Sequence, residues 1–347
     1  MPGIIEILPP VVVGPATKKA TRPSNALPKW LQDEASQTVP EMFDATKHLK
    51  FQDPAYKVSM KELGLEGYGI SPNGVSAPFS LFTEDAIKQI RREVFSQKVL
   101  EECQYSSTFN KHMVRGMGRE RAPFTYDAWY CPELIAHISS VAGMDLVPSM
   151  DFEVANINIS INNNEGNTPS PVTEDKGDKL DEFSTVHWHY DSYPFVCVVM
   201  LSDCTGMVGG ETALRIPGGR IEKVRGPAMG TAVVMQGRYI EHQVLKAIGG
   251  RERISMVTSF RPKNPLVKDD TVLVGVRGIS NIDELYTQYT EYRLEVLEER
   301  LRLKMREERK RQVAKRSFDI VAMKKFLSEQ RAFLDSMISE LQDVNDN

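Results

Sequence analysis

The chain has 347 residues, 41% of them hydrophobic and 26% charged, which is enough for one large domain with appendages or two modest ones. A mean hydropathy of −0.34 and the absence of any long apolar run argue against a membrane-spanning protein and predict a soluble one. A formal net charge of −4 gives no general attraction to a phosphate backbone, so no nucleic-acid partner is expected.

Residues 1–40 are rich in Pro, Thr, Lys and Ser without periodicity, and predict an extended arm with no part in chemistry. The stretch MPGIIEILPPVVVGPATKK is interrupted by Pro9, Pro10 and Pro15 and has no basic start, so it does not read as a signal peptide. Residues 41–150 form a mixed, largely helical region expected to pack on the core. Within it, TEDAIKQIRREVF offers Thr83 as an N-cap, acids in the first turn, and Ile87, Ile90 and Val94 on one face. A second helix is predicted over 132–142, with Leu134, Ile138 and Val141 inward and Gly143 ending it.

From Asp151 the texture changes. ANINISI, FVCVVML, TALRIP, TAVVMQ, ISMVTSF and TVLVGV are short runs enriched in Val, Ile and Thr, separated by Gly, Pro and Asn. Strands in series with no helices between them predict an antiparallel sandwich or jelly roll over 151–280. The segment 162–185 is almost free of aliphatic residues and is expected to be a loop beside the site, a lid or a disordered stretch. After Asn281 the pattern is helical to the end. Leu285, Tyr289, Tyr292 and Val296 form one stripe, continued by Leu297, Leu301 and Met305, and Phe326, Phe333, Met337 and Leu341 mark a second helix after Ser317. Packing of these helices on their own domain is the favoured reading, and a homodimer through them is the other. The basic run 306–316 is interleaved with Glu307 and Glu308 and reads as a solvated helix face. Cys103, Cys131, Cys197 and Cys204 form no CxxC, which predicts reduced thiols and a cytoplasmic location.

The chemistry concentrates in VHWHYDSYPFVCVVML, at 186–201. Alternate side chains of a strand share a face, so His187, His189 and Asp191 are expected on one side and Trp188 and Tyr190 on the other. A His-x-Asp pair needs a third ligand to hold a transition metal. His48, His112 and His137 have easy structural roles, whereas His242 lies a strand and a turn downstream, where the chain can cross a sandwich and return. His189, Asp191 and His242 would make the two-histidine, one-carboxylate set that leaves positions open on non-heme Fe(II). His187 reads as a neighbour or surface residue. Arg253 and Ser255, two apart on the next strand, project from one face and can grip a single carboxylate.

This ordered set of HxD, a distal His and Arg-x-Ser resembles the Fe(II)- and 2-oxoglutarate-dependent dioxygenases, and is similar to fungal members that tailor small metabolites, some of which oxidise free amino acids. The resemblance covers roughly 151–262. It implies a double-stranded β-helix core with flanking helices, Fe(II) held by His189, Asp191 and His242, and O2 and 2-oxoglutarate as co-substrates. It further implies that Arg253 and Ser255 bind the distal carboxylate of 2-oxoglutarate. Asn158 resembles the family's polar strand residue near that co-substrate, with Asn156 competing for the role. An acid at position 191 disfavours halogenation, because halogenating members carry a small residue there. The implied reaction is hydroxylation, desaturation or oxidative cyclisation of a small molecule, with a protein hydroxylase or a non-catalytic jelly-roll binding module as the rival readings. Arg115, Arg119 and Arg121, in MVRGMGRERAP, are candidates to hold a substrate carboxylate, with solvated arginines the competing reading.

Overall fold

The computed structural model describes residues 8–161, 184–224, 228–245 and 247–343. The described residues form antiparallel β-sheets with helices on their outside. A ten-stranded sheet runs in the order Lys57–Ser59, Asn73–Ser76, Thr231–Met235, Phe195–Met200, Glu252–Pro262, Asn156–Ile161, Met113–Val114 and Gln104–Tyr105. Two short strands, Phe79–Ser80 and Leu146–Pro148, pair alongside it. A four-stranded sheet has the order Ile221–Val224, Thr212–Arg215, Glu241–Leu245 and Ser184–His189.

The unbroken apolar run FVCVVM is explained by burial on both faces of its strand. Phe195, Cys197 and Val199 turn toward the helices Glu84–Val94, Pro123–Trp129 and Pro132–Ala142, joining Ile254, Met256, Phe260 and Trp129 in the main core. Val196 turns the other way, with Val75, Val233 and Met235, and meets Leu214, Ile216 and Val224 of the smaller sheet. The two sheets therefore pack against each other at one end and leave a cavity between them at the other.

The predicted helix signals act as expected at several points. The Thr83 side chain accepts from the backbone N–H of Ala86, and Gly143 takes a left-handed conformation, φ 75°, after Ala142. Asn281 caps the helix Ile282–Val313, and a second helix, Ile320–Glu340, folds back on it. Leu285, Tyr289, Tyr292 and Val296 are buried against Phe333 and Met337, together with Met150 and Phe152. Leu297 still packs against this cluster, whereas Leu301 and Met305 are 41% and 51% exposed.

Three expectations are corrected. TVLVGV makes no strand: it forms turns that lead into a short 3-10 helix, Arg277–Ile279, and it buries Leu273 and Val276 under the C-terminal helices instead of pairing along a sheet. The region before 151 does more than pack on the core, since it supplies the strands between Lys57 and Pro148 to the large sheet. The N-terminal arm is not wholly extended, as Lys29–Ser36 is helical, and Val13 lines the cavity. Most of the segment 162–185 lies outside the described residues, and its last two residues begin the strand Ser184–His189. All four cysteines are free. Among the described residues no helix is long and apolar enough to cross a membrane.

Candidate functional site

His189 ends its strand directly opposite His242 on the neighbouring antiparallel strand. Residues opposed in this way share a face, and the two imidazole rings stand 4.3 Å apart, centre to centre. Asp191 lies just past the strand end, where its backbone N–H donates to the Gly237 carbonyl at 2.9 Å. That turn brings Oδ1 of Asp191 to 3.4 Å from Nε2 of His189 and 3.5 Å from Nε2 of His242. One ligand atom from each of the three side chains lies within 4.8 Å of the others. On the outer face, Trp188 stacks under the Arg215 guanidinium at 4.1 Å, so the alternation predicted for Trp188 and His189 is realised, whereas Tyr190, expected beside Trp188, lines the cavity with His189.

The donor set fits a divalent transition metal. Nδ1 of His242 sits 2.9 Å from the Ile240 carbonyl; a proton there fixes the tautomer and leaves Nε2 with its lone pair toward Asp191. Burial pushes the His242 pKa down to about 4, with His189 adding to the effect and Asp191 opposing it, so the imidazole is neutral near pH 7, as a ligand must be. Burial also works against charge on Asp191, but the two imidazoles outweigh it and hold the carboxyl below its ordinary range. Oδ2 of Asp191 is buried and has no hydrogen-bond partner among the described residues. Such a group is costly unless something compensates it, and a cation among the three ligands would do so.

The triad opens on a cavity of about 220 Å³. Along Glu252–Pro262, Arg253, Ser255, Val257 and Ser259 line it, while Ile254, Met256 and Phe260 on the opposite face belong to the main core. The Arg253 guanidinium has no carboxylate partner among the described residues; its contact is with the Gly210 carbonyl at 3.4 Å. Burial pushes its pKa down. A partly buried arginine beside a cavity, with no carboxylate to neutralise it among the described residues, invites an anion. Asn158, opposite Ser255 in register, also lines the cavity and accepts from Asn110 at 3.0 Å. Asn156, opposite Val257, lines it as well.

The three arginines proposed for substrate separate. Arg119 is exposed and paired with Asp127, and Arg121 is paired with Glu102 at 2.5 Å; neither reaches the cavity. They sit on a helical turn, Gly118–Arg121, that turns their side chains to neighbouring surface acids. Arg115 does line the cavity, but as half of a buried ion pair with Glu153 at 2.5 Å. Sequence reasoning missed Glu153, Gly237 and Tyr193. Glu153 and Tyr193 carry no local signal, whereas Gly237, in the turn that returns from TAVVMQ toward His242, was there to be noticed.

No family model matches the sequence, and no curated protein matches it. Solved structures do. A 2OG-Fe(II) oxygenase family oxidoreductase from Burkholderia pseudomallei is 16% identical over 43% of this chain, with a TM-score of 0.31, and 65% of that chain is covered. A prolyl-4-hydroxylase from Pseudomonas putida is 14% identical over 67% of this chain and 99% of its own, with a TM-score of 0.33. AviO1 from Streptomyces viridochromogenes Tue57 is 13% identical over 56% of this chain and 91% of its own, with a TM-score of 0.37. At these identities and scores the likeness carries no functional weight by itself.

Proposed function

We propose that the protein is an Fe(II)- and 2-oxoglutarate-dependent oxygenase with a double-stranded β-helix core, acting on a C–H bond of a small molecule such as an amino acid or secondary metabolite. The observation that carries this reading is the joint placement of the His189–Asp191–His242 cluster and the unneutralised Arg253 on one cavity. Two neutral imidazoles and one carboxylate suit Fe(II) and leave coordination sites open. When bound, the ferrous ion and 2-oxoglutarate supply the oxidising chemistry with O2, giving succinate and carbon dioxide. Arg253 and Ser255 hold the distal carboxylate of the co-substrate, and Asn158 lies opposite Ser255 as a further polar neighbour. The apolar wall of Val196, Val198, Val233 and Met235 excludes water. Hydroxylation, desaturation and oxidative cyclisation all remain compatible with this set.

A cavity of only about 220 Å³ favours a small molecule over a peptide segment. The test is anaerobic addition of Fe(II) and then 2-oxoglutarate to metal-free protein. The expected results are a visible charge-transfer band, its loss in His189→Ala, and succinate formation once O2 is admitted. A protein that takes up neither metal nor 2-oxoglutarate would be a non-catalytic binding module, and the reading would fall.

A further inference from the structure

The cavity has a second polar end, far from Arg253. On Glu252–Pro262, Arg253 pairs with Ser160 and Val257 with Asn156, and four residues of strand separate the two levels by about 13 Å. At the Asn156 level, Asn156 Nδ2 donates to Oε2 of Glu153 at 2.9 Å, and Oε1 of Glu153 accepts from Arg115. Arg115 follows directly on Met113–Val114, which pairs with Asn158 and Ile157. Tyr193 also lines the cavity, with its side chain beside Glu153.

This cluster is built but incomplete. Arg115 is 7% exposed, Asn156 6% and Glu153 2%, and all three line the cavity. Two of their polar atoms, the Arg115 Nε donor and the Asn156 Oδ1 acceptor, are buried and have no partner among the described residues. Buried polar atoms without partners are rare, and each calls for a complementary group. The open Nε donor of Arg115 suits an anionic acceptor, and the open Oδ1 acceptor of Asn156, whose Nδ2 already bonds Glu153, suits a donor such as an ammonium. A ligand that brings a carboxylate and an ammonium close together meets both and adds no net charge to the buried site. Val13, Phe109, Met113, Val276 and Ile279 complete the lining with apolar surface.

We propose that the Arg115–Glu153–Asn156 cluster is the substrate subsite and binds the carboxylate and ammonium of a free amino acid whose remaining atoms lie among these apolar side chains. The inference rests on the oxygenase reading. Its test uses anaerobic protein loaded with Fe(II) and 2-oxoglutarate, titrated calorimetrically with each of the twenty proteinogenic L-amino acids and with their N-acetyl and methyl-ester derivatives. At least one free amino acid binds, and either derivative binds roughly ten-fold or more weakly. Arg115→Lys keeps a cation for Glu153 but removes the Nε donor, so it weakens the amino acid by a similar factor while 2-oxoglutarate affinity is retained. Asn156→Ala, which leaves the ion pair in place, does the same if the lysine variant misfolds. No binding by any free amino acid to protein that still takes up 2-oxoglutarate would overturn the subsite, as would equal affinity in both variants. Failure of the wild type to bind 2-oxoglutarate overturns the oxygenase reading instead, and the subsite with it.

Discussion

Gly237 and Asp191 are interlocked: a Cβ added at position 237 would stand 1.7 Å from Oδ2 of Asp191, while the Gly237 carbonyl accepts from the Asp191 backbone N–H. The carboxylate thus occupies the space that any other residue's side chain would fill, and its backbone is tied to the same turn. Gly237 does not have a positive φ, so the requirement is one of space and not of backbone freedom.

Gly237→Ala is therefore expected to fold while pushing the carboxylate out of line with the two imidazoles. Metal affinity should fall by roughly ten- to a hundred-fold, the range seen when a ligand loses its orienting neighbour. Titration of metal-free protein with Mn(II) or Fe(II) measures it, and an unchanged affinity would show that Asp191 does not need this position.

Arg253 carries charge in a partly buried setting with no acid to offset it among the described residues. Arg253→Met should leave the metal-free, co-substrate-free protein at least as stable as the wild type, since an unpaired, partly desolvated charge is removed. It should also abolish the stabilisation that saturating 2-oxoglutarate gives the wild type, worth about 2.7 kcal/mol at a hundred-fold excess over Kd. Chemical denaturation with and without 2-oxoglutarate reads both effects.

His242 supplies a pH dependence whose sign can be worked out. Its folded pKa of about 4 lies below the ordinary 6.5, so the unfolded chain binds the proton more readily than the folded one. The stability it contributes is fully present above the unfolded value and is lost as pH falls from 6.5 toward 4. A shift of that size is worth roughly 3 kcal/mol at most. Other buried groups titrate nearby, Glu153 among them with a pKa raised by burial. The quantity to follow is accordingly the difference between wild type and His242→Gln in urea unfolding of the metal-free protein between pH 4.5 and 7.5. A difference independent of pH would contradict the assignment.

Arg238 fastens the N-terminal arm beside the site. Its Nε donates to the Asp270 carbonyl at 2.8 Å and its Nη1 to the Pro10 carbonyl at 2.5 Å. Arg238→Ala should cost roughly 2–3 kcal/mol through lost charge-assisted hydrogen bonds. It should also speed proteolysis within 8–15, visible as early cleavage in a time course. Unaltered cleavage would mean that the arm is held by its other contacts, such as the Ala16 N–H to Thr108.

The sequence by itself determined the strand-rich core, the capped helix beginning at Thr83, the C-terminal helical pair and the candidate set of His189, Asp191, His242, Arg253 and Ser255. These were legible because periodicity and short spacings are local: HxD and Arg-x-Ser each span three residues of one strand or turn, and a two-residue repeat fixes which side chains share a face. The tertiary structure alone decided which loose residues joined them. TVLVGV has the composition of a strand, yet it turns Leu273 and Val276 under the C-terminal helices, where burial and not pairing satisfies them. Arg115, Arg119 and Arg121 read alike in sequence. Only the first enters the cavity, since its distant partner Glu153 lies inside and the other two find their acids at the surface. Gly237 acquires its meaning from an oxygen atom 46 residues away in the chain. Contacts of that kind depend on the closing of one sheet over another, and no local pattern encodes them.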